Sequence, residues 1–263
     1  MKTKERKLNE IQGRLLQLVF EERKIHVYLP PDYSLDDKPF SVAYLHDGDT
    51  FLRAGEQRGI LELEQGILKG IHRGMIFVGI EPKDRLNEYT PWYGKALSKR
   101  FKDFGGGGDQ YLDMIVNRLK PFIDQQYHTI RGPEGTGILG ASLGGMISLY
   151  AGTLYPEVFG KIGSFSGSLW YAGFIEYMER ASLSPRETKI YLDVGSLEGV
   201  GKESVQVKIV PNTKGLFELF KRKGCSDQQI KLLIEEGALH DYRYFVKRFP
   251  MGVCWLFARE IDY

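Results

Sequence analysis

Short runs of aliphatic and β-branched residues alternate along this chain with longer stretches whose apolar positions recur every three or four residues. The short runs predict strands at 15–20, 24–30, 41–47, 74–80, 136–141, 161–167, 189–195 and 230–236. The longer stretches predict helices near 57–69, 109–126, 142–155, 213–223 and 241–260. Strand alternating with helix is the signature of a mostly parallel sheet covered on both faces, so the fold class is α/β with eight strands. The first two strands are separated only by Glu21-Glu22-Arg23, which predicts an antiparallel hairpin at the start of the sheet. Pro121 and Pro250 fall inside helical patterns, and each predicts a kink or a restart there. Gly105-Gly106-Gly107-Gly108 has no preceding strand and no following Gly-Lys-Ser/Thr, so it reads as a flexible hinge before a helix rather than a phosphate cradle.

A length of 263 residues with 42% hydrophobic content fits a single domain over 1–263. The net charge of +2, with acids and bases nearly equal, argues against a dedicated nucleic-acid surface and leaves a small molecule as the expected partner, with self-association open. Met1 to Lys7 is charged and leads into no apolar core of signal-peptide length, and no apolar run approaches the length of a membrane span. The expected location is therefore cytoplasmic. Cys225 and Cys254 are expected to be reduced there, with Cys254, flanked by Val253 and Trp255, in the core.

The candidate chemistry begins at Gly140-Ala141-Ser142-Leu143-Gly144, where a predicted strand meets a predicted helix. A serine on such a turn is presented as a nucleophile, and small neighbours let strand and helix close around it. That is the nucleophile elbow of an α/β-hydrolase. A serine nucleophile needs a base to take its proton and a carboxylate to fix the base's tautomer, in the chain order serine, acid, histidine. Of five histidines only His240 follows the last predicted strand, which makes it the base; His46, at the end of a strand, is the rival. Glu198 follows the seventh strand and is the favoured acid, with Asp193, Asp227, Asp241 or a Ser-His dyad as alternatives. The oxyanion of the tetrahedral intermediate needs backbone N–H donors: Leu143, and Gly48 or Asp49 in the turn after the third strand.

Several blocks resemble a known family: Tyr28-Leu29-Pro30-Pro31-Asp32-Tyr33, Val42 to Gly48, Arg85 with Glu88-Tyr89-Thr90-Pro91-Trp92, the Ser142 block with Gly145, Tyr155 to Gly160, and Ser164 to Trp170. Together they are similar to the esterase D-like family of α/β-hydrolases, on the bacterial branch related to enterochelin- and bacillibactin-type trilactone esterases. The resemblance spans about 15–257 and implies a Ser-His-acid esterase without metal or organic cofactor, carried onto Ser142, His240 and Glu198. One departure stands out. Leu239 precedes His240 where related chains often carry glycine.

The substrate is less legible. Arg85, Tyr89 and Trp92, followed by Lys95, Lys99, Arg100 and Lys102, could form a basic aromatic rim for an acidic or catecholate acyl group, against the plainer reading of a solvated loop. Trp170 and Tyr171 could floor the acyl pocket or be core aromatics. Only residues 169–188 separate the sixth and seventh strands, so any lid is small. The expected activity is hydrolysis of a small-molecule carboxylester through an acyl-enzyme on Ser142. An acyltransferase on the same fold, and a binding protein with an idle triad, are the alternatives.

Overall fold

The computed structural model describes residues 4–6, 11–34, 38–52, 58–182 and 188–257. Most of the charged N-terminal run, the expected helix start at Gln57 and the expected helix end at 258–260 lie outside them.

The strands are β1 (Lys4–Arg6), β2 (Arg14–Phe20), β3 (Arg23–Leu29), β4 (Val42–His46), β5 (Ile76–Ile80), β6 (Tyr93–Gly94), β7 (Phe104–Gly105), β8 (Thr136–Ala141), β9 (Lys161–Phe165), β10 (Lys189–Gly195) and β11 (Ile230–Glu235). All eight predicted strands are present. The main sheet runs β1-β2-β3-β5-β4-β8-β9-β10-β11 and gains β1 at its edge, antiparallel to β2, while β6 and β7 pair separately. The hydrophobic pattern could not announce β1, because its residues are charged and it joins through backbone pairing. The predicted hairpin β2–β3 turns through Glu21 and Glu22, both with positive φ. From β5 through β4, β8, β9, β10 and β11 every pairing is parallel, so these strands end at one edge of the sheet.

Both faces of the sheet are buried. Val42 and Tyr44 of β4 and Ile190 and Leu192 of β10 face one core, while Ala43, Leu45 and Tyr191 face the other. Strands covered on both sides therefore read as continuous apolar runs rather than alternating ones. The helices are α1 (Gly48–Leu52), α2 (Arg58–Leu68), α3 (Arg85–Glu88), α4 (Gly108–Met114), α5 (Lys120–Gln126), α6 (Leu143–Leu154), α7 (Phe174–Arg180), α8 (Ile209–Arg222) and α9 (Tyr242–Phe257). The core with Phe51, Leu63, Phe249 and Val253 lies under α1, α2 and α9; the other lies under α4, α6 and α8. Each large side chain so buried contributes about 1.5–3 kcal/mol.

Three sequence expectations change, while the restart expected at Pro121 is present. A π-helical turn at Ile115–Leu119 joins α4 to α5, and Pro121 sits at the start of α5, so the extra residue of the wider turn absorbs the missing proline N–H. Pro250, by contrast, lies inside an unbroken α9. The four-glycine segment is an ordered turn, not a flexible hinge: Gly106 N–H donates to Thr90 Oγ1 at 3.0 Å, Gly107 to Asn87 O and Gly108 to Thr90 O. A side chain on Gly106 would strike the Trp92 backbone at 2.4 Å. Finally, Cys254 is exposed and Cys225 is buried, both as free thiols, because α9 turns 249, 253 and 256 inward and 254 outward. No described helix is long and apolar enough to cross a membrane.

Candidate active site

The parallel strands end at one edge of the sheet, and the segments after β8, β9 and β11 meet at Ser142. β8 ends at Ala141 and α6 begins at Leu143, leaving Ser142 between them at φ 56° and ψ −119°. That left-handed backbone is strained for a residue with a side chain, and the surroundings hold it. Ser142 N–H donates to Phe165 O at 2.9 Å, and its carbonyl accepts from Ser168 N–H at 2.9 Å and Met146 N–H at 3.1 Å. Strand and helix touch backbone to backbone: a Cβ on Gly140 would lie 2.7 Å from the Gly144 carbonyl carbon.

β10 leads to Glu198 and β11 to His240. Leu197 N–H donates to Ala238 O at 3.1 Å, tying the two loops together. His240 Nε2 lies 3.0 Å from Ser142 Oγ, and His240 Nδ1 lies 2.6 Å from Glu198 Oε2. The His240 ring also meets Phe245 edge-on at 5.0 Å. Burial alone would raise the Glu198 carboxyl, but the hydrogen bond and charge of His240, with further bonds from Ser166 and Gly195, hold it below its ordinary value. An ionised carboxylate only accepts, so the proton sits on Nδ1 and Nε2 is free to take one from Ser142. The arrangement can generate a serine alkoxide equivalent and hold the imidazolium that results.

The alternative acids do not reach His240. Asp193 is fully buried and bonds the Ser166 N–H at 3.0 Å; Asp227 pairs with Lys221 and Asp241 with Arg243. His46, the rival base, is also fully buried, with Nδ1 2.8 Å from the Tyr111 hydroxyl. Burial and the charge of Arg85 push it down to about 3, so it stays neutral and is occupied elsewhere.

The turn after β4 abuts the elbow, since a Cβ on Gly144 would lie 3.0 Å from His46 Cβ. Gly48 starts α1 directly on β5: its own Cβ would fall 2.1 Å from Gly79 Cα. Asp47, at φ 51°, gives its N–H to the Tyr89 hydroxyl at 2.8 Å, so that donor is already committed, and Gly48 and Asp49 follow it at the start of α1. Leu143 opens α6 beside Ser142.

The expected rim is largely framework. Arg85 Nε lies 2.9 Å from both Asp47 carboxylate oxygens, Tyr89 is wholly buried, and Trp92 donates to Ala172 O at 2.9 Å among Tyr150, Tyr171, Phe174 and Tyr177. These residues brace the turn and its neighbours because their partners lie across the fold. Lys95 pairs with Asp103, and Lys99, Arg100 and Lys102 are exposed. Tyr171 is buried, and half-buried Trp170 packs on it and on Phe104. Three neighbours went unforeseen: Ser168, whose Oγ lies 3.1 Å from Ser142 Oγ, and Ser166 and Arg248 beneath Glu198. The signal available was an arginine on the apolar face of the last helical pattern.

The family model for esterases, described as Putative esterase, matches residues 18–256. The chain belongs to this esterase family. It is 39% identical over 250 residues to YbbA of Bacillus subtilis, covering 95% of this chain and 98% of that protein. It is 25% identical over 202 residues to the iron(III) salmochelin esterase of Escherichia coli, covering 71% of this chain and 45% of that protein. The BES protein of Bacillus cereus superposes with a TM-score of 0.70 at 19% identity, covering 99% of this chain and all of that one. This esterase therefore shares the α/β fold of that structure.

Proposed function

We propose that this esterase is a serine carboxylesterase in which Ser142 is the nucleophile, His240 the general base and Glu198 the orienting acid. The observation that carries the reading is the unbroken hydrogen-bond chain Ser142 Oγ–His240 Nε2, 3.0 Å, and His240 Nδ1–Glu198 Oε2, 2.6 Å, on a positive-φ elbow. Ser142 Oγ attacks the ester carbonyl as its proton passes to His240 Nε2, and the carbonyl oxygen becomes an oxyanion facing the N–H groups of Leu143 and of Gly48 or Asp49. Collapse transfers the proton from His240 to the departing alkoxide and leaves an acyl-enzyme. Water then attacks the acyl carbon, giving its proton to His240, and Ser142 is regenerated as the acid leaves.

The substrate is a small-molecule ester. The loops that carry the triad expose Leu197, Val200, Leu239 and Tyr242, an apolar margin suited to an acyl or alcohol group of the same character. The salmochelin esterase relationship places a catecholate ester in the test panel, alongside simple p-nitrophenyl esters. Ser142→Ala is expected to abolish both ester hydrolysis and labelling by a serine-directed fluorophosphonate while leaving the melting temperature close to that of the unmodified protein. Labelling of the unmodified protein at another serine overturns the assignment.

A further inference from the structure

Beneath the candidate triad lies a buried arginine that the reaction steps above do not use. Arg248 of α9 is 2% exposed, and its Nη2 lies 2.6 Å from Ser166 Oγ, 3.2 Å from Asp193 Oδ1 and 3.6 Å from Glu198 Oε1. Its Nη1 lies 3.2 Å from Glu235 Oε2. Ser166 follows β9, is wholly buried and holds φ 48°, a strained backbone for a serine. Its Oγ is 2.5 Å from Glu198 Oε1, which also accepts from Gly195 N–H at 2.7 Å.

We infer that Ser166 and Arg248 act as a buried positioning pair for the triad acid, fixing Glu198 so that Oε2 faces His240. The inference rests on the triad reading above. A guanidinium only donates, whereas a hydroxyl has one proton and two lone pairs. Arg248 therefore fills an acceptor site on Ser166, and the single Ser166 proton points to Glu198 Oε1. With Oε1 committed to two donors, the glutamate side chain cannot rotate away from His240. Burying a guanidinium among three carboxyl groups is a poor device for stability, because desolvation offsets most of the attraction. A long glutamate serving as orienting acid, however, needs its free oxygen held to a fraction of an ångström.

The test compares Ser166→Ala, Arg248→Lys and Arg248→Met, each with and without Glu198→Gln, by kcat and KM on p-nitrophenyl butyrate together with melting temperatures. Ser166→Ala removes one hydroxyl and keeps the contacts of Arg248 with Asp193 and Glu235, so it stays informative if Arg248→Met does not fold. Ser166→Ala is expected to lower kcat about ten- to hundred-fold with KM changed less than about threefold. In the Glu198→Gln background the same change is expected to move kcat less than about threefold, since the oriented carboxylate is already gone. Arg248→Lys should retain more kcat than Arg248→Met. A normal kcat in Ser166→Ala beside a crippled Glu198→Gln overturns the pairing and leaves the triad standing, as does an equal fractional loss in both backgrounds. A normal kcat in Glu198→Gln overturns the triad reading, and the pairing with it.

Discussion

Replacing Glu198 by glutamine changes one oxygen to an amide nitrogen, in a place where neither orientation of the amide is acceptable. Glu198 is 2% exposed, and both of its oxygens face donors: His240 Nδ1–H on one, Ser166 O–H and Gly195 N–H on the other. Turned toward Ser166 and Gly195, the amide nitrogen opposes two donors, at a cost of about 1–3 kcal/mol for each buried group left unpaired. Turned toward His240, it donates to Nδ1 and forces the ring proton onto Nε2, so that the imidazole can no longer accept from Ser142. The second arrangement offends fewer groups, and the wrong tautomer results. In Ser-His-acid hydrolases that error costs about 10⁴ in kcat, which is about 5 kcal/mol of transition-state stabilisation. Because the imidazolium forms only during reaction, KM should move less than about threefold. The assay is steady-state hydrolysis of p-nitrophenyl butyrate, with folded enzyme quantified by a thermal melt. A kcat within about tenfold of the unmodified enzyme refutes the reasoning. Acid stability supplies an independent arm. The folded Glu198 carboxyl lies below its ordinary value, so its contribution is present above the unfolded value and disappears as pH falls through the folded one. The acid-induced fall in melting temperature should therefore be shallower in Glu198→Gln.

The sheet and the meeting of Ser142, His240 and Glu198 were legible because both are written in local pattern and chain order. Buried parallel strands announce themselves as apolar runs, and their carboxyl ends share an edge, so residues following β8, β10 and β11 had to converge. What escaped depends on partners far along the chain. Arg85 looked like a free cation until the fold set Asp47 against it, 38 positions away. Ser166 and Arg248, 82 apart, carry no local mark beyond a cation on an apolar helix face. The start of α8 at Ile209, rather than 213, follows from Pro211: in a first helical turn its missing N–H has no intrahelical partner to lose. The phase of α9 decided Cys254, since a single residue of helical rotation moves a side chain by about 100° from core to solvent.

Three further outcomes test the framework. His46→Gln should hold kcat within about tenfold yet lower stability by about 1–3 kcal/mol, because it breaks a buried bond to Tyr111 without touching Ser142; a collapse in rate at unchanged melting temperature would restore His46 as the base. Gly48→Ala should lower the melting temperature by several degrees and reduce kcat, as its methyl would meet the Gly79 backbone and push the proposed oxyanion turn aside; an unchanged melt would show that the turn is not packed this way. The last concerns Asp193, whose carboxyl burial raises to about 7 against the pull of Arg248, with Glu198 and Glu235 adding to the rise. A folded value above the unfolded one means that the fold prefers the protonated group. Its contribution is complete below about pH 4 and disappears as pH rises through about 7, a change on the order of 4 kcal/mol. Asparagine is neutral throughout and escapes that loss. Melting curves of Asp193→Asn and the unmodified protein should therefore converge or cross in favour of the variant between about pH 4 and 7. At neutral pH its kcat should stay within about tenfold of normal, since Asp193 does not contact His240. A melting difference that does not vary with pH would mean that Asp193 is ionised in the fold, as a full ion-pair partner of Arg248.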